Sequence, residues 1–307
     1  MARDVAIVSW SVFETPVEPA RNEVEMLLPV IQEALGNVGL TQKEIGFTVS
    51  GSSDYLQGFP FAFVGALDAV GAWPPIRESH VEMDGAFALY EAVNVLKHAP
   101  DKEQGLETAL VYAFARPSRG EVDRTLALQL DPYYVAPLWP DARSLAGLQA
   151  QALRDSGHQV PDVPPTYVAD GAVAVVLAVG DKARSLTQTP VWIRGIDHRI
   201  EPPSLGVRDL TVSPSTRAAA QRAGVTDVEA AFLHTPYPHQ ELILRTALGL
   251  NGQAVSSAAG PFMVGGLERF ATAAAALSSG KAKRAVAHAT AGPCLQQNLV
   301  ALLEAAA

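Results

Sequence analysis

Cysteine and basic clusters are what this sequence lacks most clearly. Cys294 is the only cysteine among 307 residues, which excludes an internal disulfide framework and a cysteine-rich metal site. The formal net charge is −9, with 23 Lys and Arg against 32 Asp and Glu, and the basic residues form no cluster. A chain without a basic patch is poorly suited to nucleic acid or anionic lipid, so we expect neither as a partner.

Long hydrophobic runs are also missing. No apolar stretch approaches the length that crosses a bilayer. The apolar residues near the N-terminus are too few for a secretory signal, and no small-residue cleavage pattern follows them. We therefore expect a cytoplasmic protein without a membrane span. Hydrophobic residues make up 48% of the chain and charged residues 18%, which is typical of a globular protein and not of a disordered one.

Short β-rich runs alternate with segments of helical periodicity. Residues 5–8, 109–114 and 171–179 predict buried strands, and residues 22–35 and 85–96 predict helices. Strands that alternate with helices indicate parallel βαβ units and an α/β fold. The pattern repeats in the second part of the chain, so we divide it into halves at 1–188 and 189–307. Residues 116–141 and 156–165 are rich in proline, and we expect irregular surface connections there.

Five stretches resemble one branch of the thiolase superfamily. They are SGSSDYL at 50–56, HVEMDGAFALYE at 80–91, DPYYVAPLWP at 131–140, WIRGIDHR at 192–199 and RAVAHATAGPCLQQNLV at 284–300. The sequence is similar to the bacterial lipid-transfer-protein thiolases, which are related to the sterol-carrier-protein thiolases. This resemblance implies two βαβαβαββ halves stacked in five α/β layers.

The same resemblance implies a substrate class and partners. Members of the family act on acyl-CoA esters and usually form tight homodimers, and several work beside a small OB-fold protein with a zinc ribbon. A homodimer, a heteromer with another thiolase-like subunit, or a complex with such an OB-fold partner is therefore expected.

The match fails where the family carries its chemistry. Thiolases place a nucleophilic Cys in a Cys-Ala-Ser-Gly turn at a helix N-terminus, where the helix dipole lowers the thiol pKa. Here that turn reads EMDG at 82–85, so Glu82 falls at the Cys position if Gly85 takes the glycine position. Alignment on Val81 and Glu82 instead shifts the Cys position toward Gly85, and neither placement gives a thiol. The Gly-His-Pro motif corresponds to 256–262, with Gly260 at the His position. The Asn-Glu-Ala-Phe motif, His-Asp-Cys-Phe in the sterol-carrier type, corresponds to HTPY at 234–237, and the Cys-x-Gly turn to GPC at 292–294.

The loop domain that covers acyl-CoA in the family is truncated. Only residues 156–167 stand in its place, and they contain no Lys or Arg to hold phosphates. We therefore expect no bound cofactor, and we treat a CoA thioester as a candidate substrate.

Five residues are candidates for a catalytic site, and each has a simpler structural role. Glu82 and Asp84 flank a helix start, where they can cap the helix or act as an acid–base pair. His234 can donate a proton or be a buried structural histidine, and Tyr237 follows it in the same loop. His234 and His239 have no convincing third ligand, so we expect no metal site. Cys294 is either a reactive thiol or a small buried hydrophobe.

Three functions fit this pattern. The first is a thiolase-like subunit without thiolysis, in a heteromeric complex that handles acyl-CoA or lipid-derived substrates. The second is an active retro-aldolase or related C–C lyase on a β-hydroxyacyl thioester, with Glu82, Asp84, His234 and Tyr237 transferring protons. The third is an acyl- or lipid-binding module without chemistry.

Overall fold

Strands and helices alternate along the chain, as the sequence predicts. The computed structural model describes residues 3–15, 21–54, 56, 62–71, 77–99, 105–165 and 169–306. Its strands are β1 (Val5–Thr15), β2 (Phe47–Gly51), β3 (Glu78–Val81), β4 (Thr108–Ala115), β5 (Asp170–Val179), β6 (Val191–Ile200), β7 (Ala230–His234), β8 (Ala254–Ala258), β9 (Arg284–Ala291) and β10 (Gln297–Ala305). Its helices are α1 (Glu23–Gly36), α2 (Leu67–Val70), α3 (Gly85–His98), α4 (Val122–Ala127), α5 (Ala142–Asp155), α6 (Gly180–Leu186), α7 (Pro214–Arg222), α8 (Gln240–Leu248) and α9 (Gly265–Ser278).

The strand order shows the same topology twice. The described strands form one sheet in the order β3-β2-β4-β5-β1-β6-β10-β9-β7-β8. In the first group, β1 to β5, strand β2 pairs in parallel with β3 and β4, and β5 runs antiparallel to β4 and β1. In the second group, β6 to β10, strand β7 pairs in parallel with β8 and β9, and β10 runs antiparallel to β9 and β6. The two groups meet through two residue pairs between β1 and β6. The exact division of the chain after residue 188, between α6 and β6, stays a prediction.

Three apolar clusters show how the layers are stacked. The largest lies between the two five-stranded groups and contains Leu89 of α3, Phe270 of α9, Val111 of β4 and Phe232 of β7. A second packs α1 against the outer face of the first group. A third packs α7 and α8 against the outer face of the second group. The order is therefore helix, sheet, helix, sheet, helix, and α3 and α9 form the central layer.

Helix α1 spans Glu23–Gly36, close to residues 22–35, where the apolar periodicity predicts a helix. Asn22 accepts a hydrogen bond from the backbone N–H of Glu25, and the Glu25 carboxylate accepts one from the Asn22 N–H. This reciprocal pair is a capping box, which satisfies two N–H groups that the helix itself cannot. Pro29 lies inside α1, which nevertheless continues to Gly36. A proline inside a helix removes one backbone hydrogen bond and destabilises the helix. Burial of Leu27 and Ile31 against β1 and β5 offsets this loss.

Two edge strands were not predicted from the sequence. Strands β3 and β8 stand at opposite ends of the sheet, with sequences ESHV and AVSSA. Both are short and only partly buried, so they carry neither the apolar run nor the clean alternation that identifies a strand. The expectation of an irregular 116–141 segment was also wrong in part, because α4 lies within it.

The segment where the family has its loop domain is short here. Helix α5 ends at Asp155 and β5 begins at Asp170, and the described residues 156–165 between them form no helix or strand. The short connection expected between these elements is thus present in the described residues.

No helix in the described ranges combines the length and the apolar character needed to span a bilayer.

Close packing at the start of α3 gives a test of this architecture. A Cβ atom on Gly85 would lie 2.4 Å from the Ala113 Cβ and 2.9 Å from the Leu267 Cδ2, so α3 would have to move away from β4 and α9. We expect Gly85→Ala to lower the free energy of unfolding by about 1–3 kcal/mol in urea denaturation. Gly147→Ala in α5 is the control: nothing lies within 4 Å of its Cβ position, and helix propensity predicts a gain of up to about 1 kcal/mol. Equal stability of the Gly85→Ala variant and the wild type would contradict this packing.

Candidate functional site

A pocket lies between the two halves, where parallel strands of the second half end. The last residues of β7 and β9 and the residues that follow β7, β8 and β9 line one side of it. Asp84, the N-cap of α3, lines a second side, and α4 and α5 line a third. About 750 Å³ of space not filled by protein atoms lies within it, and this figure includes open solvent. Most of the wall is apolar and includes Val122, Leu126, Leu145, Phe262 and Met263; the polar lining consists of Asp84, His234, Tyr237, Gln240, Thr290 and Cys294.

Asp84 joins the N-termini of the two central helices. Its Oδ1 accepts hydrogen bonds from the backbone N–H groups of Ala86 in α3 (2.9 Å) and Leu267 in α9 (3.0 Å). Its Oδ2 accepts a hydrogen bond from the N–H of Gly266 in α9 (2.8 Å). Helix N-termini carry partial positive charge, so one carboxylate here neutralises two of them. Asp84 therefore caps α3, one of the two roles that the sequence allows for it.

Burial and hydrogen bonding act on Asp84 in opposite directions. The residue is 1% exposed, and this burial raises the pKa of its carboxyl group from 3.8 to about 6. The three backbone N–H donors favour the ionised form and limit that rise. At neutral pH the group is therefore mainly a carboxylate that is held by backbone and withdrawn from bulk water.

Two adjacent glycines make room for the polar side chains of the site. A Cβ on Gly266 would lie 2.2 Å from the Asp84 Oδ1, and a Cβ on Gly265 would lie 2.9 Å from the His234 Nε2. Gly265 is restricted further by the Ala259 carbonyl oxygen, which lies 2.2 Å from the same Cβ position, so both positions are restricted to glycine by lack of space. The first turn of α9 can approach Asp84 and His234 only because Gly265 and Gly266 have no side chain.

His234 is a buried, neutral imidazole. It ends β7, is 4% exposed, and accepts a hydrogen bond at Nδ1 from the backbone N–H of Thr290 (3.4 Å). The ring also hydrogen-bonds the backbone of Ala259. Burial, together with the nearby Arg269 guanidinium, lowers the His234 pKa to about 4. Since its ring is engaged by backbone groups, His234 is positioned as a structural residue of the pocket wall.

Tyr237 reaches the pocket through a turn that polar side chains hold in place. Its backbone N–H donates to the Gln240 Oε1 (3.1 Å), and the Gln240 amide donates to the Gln149 Oε1 on α5 (3.1 Å). His239 hydrogen-bonds the same Gln149 oxygen through Nε2 (3.3 Å). Gln149 thus ties the loop after β7 to α5. The sequence analysis does not identify Gln149, although a polar residue on the buried face of a predicted helix is a usable signal.

Cys294 lies in the pocket but is poorly suited to nucleophilic attack. Its Sγ donates to the Leu145 carbonyl (3.2 Å), and burial raises the thiol pKa to about 11. Its backbone has φ of 54°, an unusual value for a non-glycine residue. Arg208 donates hydrogen bonds to the carbonyl oxygens of this turn, including that of Cys294, and so stabilises the strained backbone. Reactive cysteines instead have lowered pKa values and accessible sulfur atoms.

Glu82 does not line this pocket. Its carboxylate contacts the His80 Nε2 (3.1 Å) and accepts a hydrogen bond from the Asp54 backbone N–H (2.9 Å). The His80 Nδ1 in turn hydrogen-bonds the Ser50 hydroxyl (2.7 Å). This serine–histidine–glutamate chain of hydrogen bonds links the edge strand β3 to β2. Ser50 is only 1% exposed, so its hydroxyl is not an accessible nucleophile. Of the five candidates, Asp84, His234, Tyr237 and Cys294 meet in one pocket and Glu82 lies outside it.

The stretch that corresponds to the family's Gly-His-Pro turn follows β8. Gly260 lines the pocket with φ of 62°, and a Cβ there would lie 2.4 Å from the Gly265 Cα. A residue other than glycine is thus disfavoured at this position for two reasons, the positive backbone angle and the lack of space for a Cβ atom. No basic side chain enters the pocket from this turn. Among the described residues, no group of three potential ligands is arranged to hold a metal ion.

Comparisons with known proteins place this architecture. No protein-family model matches the sequence, and no curated protein matches it either. The structure is similar to the Ltp2-ChsH2(DUF35) aldolase, with a TM-score of 0.74, 14% identity and coverage of 98% of both chains. It is also similar to human mitochondrial 3-ketoacyl-CoA thiolase in complex with CoA, with a TM-score of 0.73, 16% identity and full coverage of both chains.

A third similar structure is longer than this chain. It is a monomeric SCP2-thiolase-like protein type 1 from Mycobacterium smegmatis, with a TM-score of 0.64 and 16% identity. The match covers 98% of this chain but 76% of that protein. These likenesses confirm the fold predicted from the sequence: the chain has the thiolase fold.

The buried titratable groups predict how stability depends on pH. The native pKa values of His234 and His239 are about 4 and that of His288 is about 3, all lowered mainly by burial. Each histidine contributes stability that is present above the unfolded pKa of about 6.5 and lost as the pH falls. Asp84 has the opposite sign: its raised pKa gives stability at low pH that is lost as the pH rises through about 6.

We therefore expect opposite effects from two substitutions. Between about pH 4 and 6.5, each titrating proton changes the free energy of unfolding by about 1.4 kcal/mol per pH unit. His234→Gln should reduce the loss of stability on acidification, and Asp84→Asn should increase it, in urea unfolding at several pH values. The same pH slope in both variants and the wild type would show that neither group is buried as described.

Proposed function

We propose that this chain is a thiolase-fold subunit that does not perform thiolysis. It would work in a heteromeric complex that acts on acyl-CoA or lipid-derived substrates, in the cytoplasm. The observation that carries the proposal is the absence of an activated thiol in the pocket that the described residues form. At the N-terminus of α3, where an activated cysteine would gain from the helix dipole, Asp84 stands and is held by both central helices.

The character of the pocket supports a binding role. Its wall is largely apolar, and two of its polar side chains, Asp84 and His234, are engaged by backbone groups. Pockets of this kind hold an apolar body, and a few polar groups orient it. An acyl chain, with or without its CoA thioester, fits this description.

An exposed apolar loop supports a protein partner. Tyr133, Tyr134, Leu138 and Trp139 have 63–83% of their surface exposed. Asp131 Oδ1 accepts hydrogen bonds from the backbone N–H groups of Tyr133 and Tyr134, so the loop has a defined shape. Tyr and Trp are enriched at protein interfaces. The similar aldolase contains a DUF35 protein, and we propose as partner an OB-fold and zinc-ribbon protein, a second thiolase-like subunit or another copy of this chain.

A retro-aldolase is the second candidate, and Tyr237 is the observation that favours it. Tyr237 lines the apolar pocket, on a turn held by Gln240. In such a reaction a base takes the proton of the β-hydroxyl group, the neighbouring C–C bond breaks, and the thioester enolate accepts the electrons and then a proton. A tyrosine can perform the first transfer as its phenolate, or donate the final proton to the enolate as its phenol. The similarity in fold to an aldolase supports the same candidate.

The lead proposal predicts that no acyl-enzyme forms. We expect purified protein incubated with acetoacetyl-CoA and CoA to show neither thiolysis nor an acetyl adduct by intact mass spectrometry. The physical reason is the Cys294 pKa of about 11, which leaves little thiolate near neutral pH. Cys294→Ser serves as the control and should behave as the wild type does. An adduct present in the wild type and lost in Cys294→Ser would contradict the proposal.

The second candidate predicts a specific loss. If the protein, alone or with a partner, cleaves a β-hydroxyacyl-CoA, Tyr237→Phe should lower kcat by about a hundredfold to ten-thousandfold because the proton-transfer group is gone. Tyr90→Phe in α3, outside the pocket lining, is the matched control and should retain activity. Full activity of Tyr237→Phe would rule out Tyr237 as the acid or base.

A further inference from the structure

The positive ends of the two central helices are already neutralised in this pocket. Each helix N-terminus carries about half a positive elementary charge. Helices α3 and α9 both direct theirs to Asp84, whose carboxylate accepts three backbone hydrogen bonds from them. The place where a bound anion would gain most from the protein is therefore occupied by the protein's own anion.

No cationic side chain compensates for this. None of the residues that the structure shows lining the pocket is Lys or Arg. The nearby Arg269 is buried and forms an ion pair with Glu268. Arg208 directs its guanidinium to the carbonyl oxygens of Pro293, Cys294 and Leu295 in the turn. Both arginines are thus engaged by protein groups.

An anionic ligand would therefore lose hydration without gaining a counter-charge. Moving a carboxylate into apolar surroundings is costly unless it is paired and hydrogen-bonded. Here it would also lie near the Asp84 carboxylate, which repels it. An uncharged ligand has neither cost, and the wall of Val122, Leu126, Leu145 and Phe262 favours its apolar part.

We propose that this pocket selects uncharged apolar ligands and rejects free carboxylates, and that Asp84 sets this selection. Ligands of the selected class are alkyl chains that end in an alcohol and acyl chains held as esters or thioesters. This inference deepens the proposed binding function and rests on it. Asp84 acts through charge and does not need to touch the ligand, so we regard it as a specificity-determining residue.

The test compares two probes of equal chain length, octan-1-ol and octanoate. The full chain is titrated calorimetrically at about pH 8, where the carboxyl groups of Asp84 and octanoate are both ionised. We expect octan-1-ol to bind at least roughly ten times more tightly than octanoate. Asp84→Ala exposes three backbone N–H groups and removes the repelling charge. We expect this variant to gain at least about tenfold in the ratio of octanoate affinity to octan-1-ol affinity.

Controls separate the effect of Asp84 from those of folding and net charge. Asp181→Ala removes a fully exposed carboxylate and should leave the ratio of the two affinities unchanged. Asp84→Asn keeps the shape of the side chain without its charge, so it should also reduce the ratio of octan-1-ol affinity to octanoate affinity. This second variant tests the proposal if Asp84→Ala does not fold.

The outcomes distinguish the two proposals. Equal binding of both probes by the wild type, or an unchanged ratio in the folded Asp84 variants, would overturn the charge selection and leave the apolar pocket standing. Failure of the wild type to bind either probe would overturn the binding function itself.

Discussion

The structure depends on one carboxylate. Asp84 accepts hydrogen bonds from the first turns of both α3 and α9, and these helices form the central layer on which the two sheets pack. A helix pair that meets N-terminus to N-terminus exposes unpaired N–H groups and partial positive charges to one another. The Asp84 carboxylate satisfies both, and Gly266 leaves the space that it needs. The contact between the halves and the electrostatics of the pocket thus have a common origin.

This arrangement determines what the pocket can do. A nucleophile gains from helix N-termini because they stabilise its anionic form, but here the anion is a carboxylate that the backbone already holds. The remaining thiol, Cys294, is withdrawn by burial and by its bond to the Leu145 carbonyl. What is left is an apolar space with a tyrosine at its wall and an aromatic loop, which includes Trp139, at the surface. Ligand binding, or proton transfer by Tyr237, is compatible with those parts, whereas the pKa of the Cys294 thiol is raised and not lowered.

Much of the fold could be predicted from the sequence, and the site only in part. Strands such as β5 are buried on both faces and show it in an unbroken apolar run, whereas the polar edge strands β3 and β8 are defined by their neighbours and gave no signal. The sequence indicated two roles for Asp84, a helix cap or a member of an acid–base pair. Its hydrogen bonds to Gly266 and Leu267 join residues 182 and 183 positions apart, which no local pattern reveals. Glu82, adjacent to the same turn, faces His80, because a difference of two residues at a strand end changes the surroundings completely.

The most direct test of this account is an NMR titration that follows the Asp84 side-chain carboxyl carbon and the backbone amide protons of Ala86, Gly266 and Leu267. We expect one shared titration in all four signals, with a pKa of about 6, above the ordinary 3.8. This would show that a single buried carboxylate is bonded to both helices. A carboxyl group that titrates near its ordinary value, with no matching change at Gly266 and Leu267, would show that Asp84 does not join α3 to α9, and the account of the pocket would be wrong.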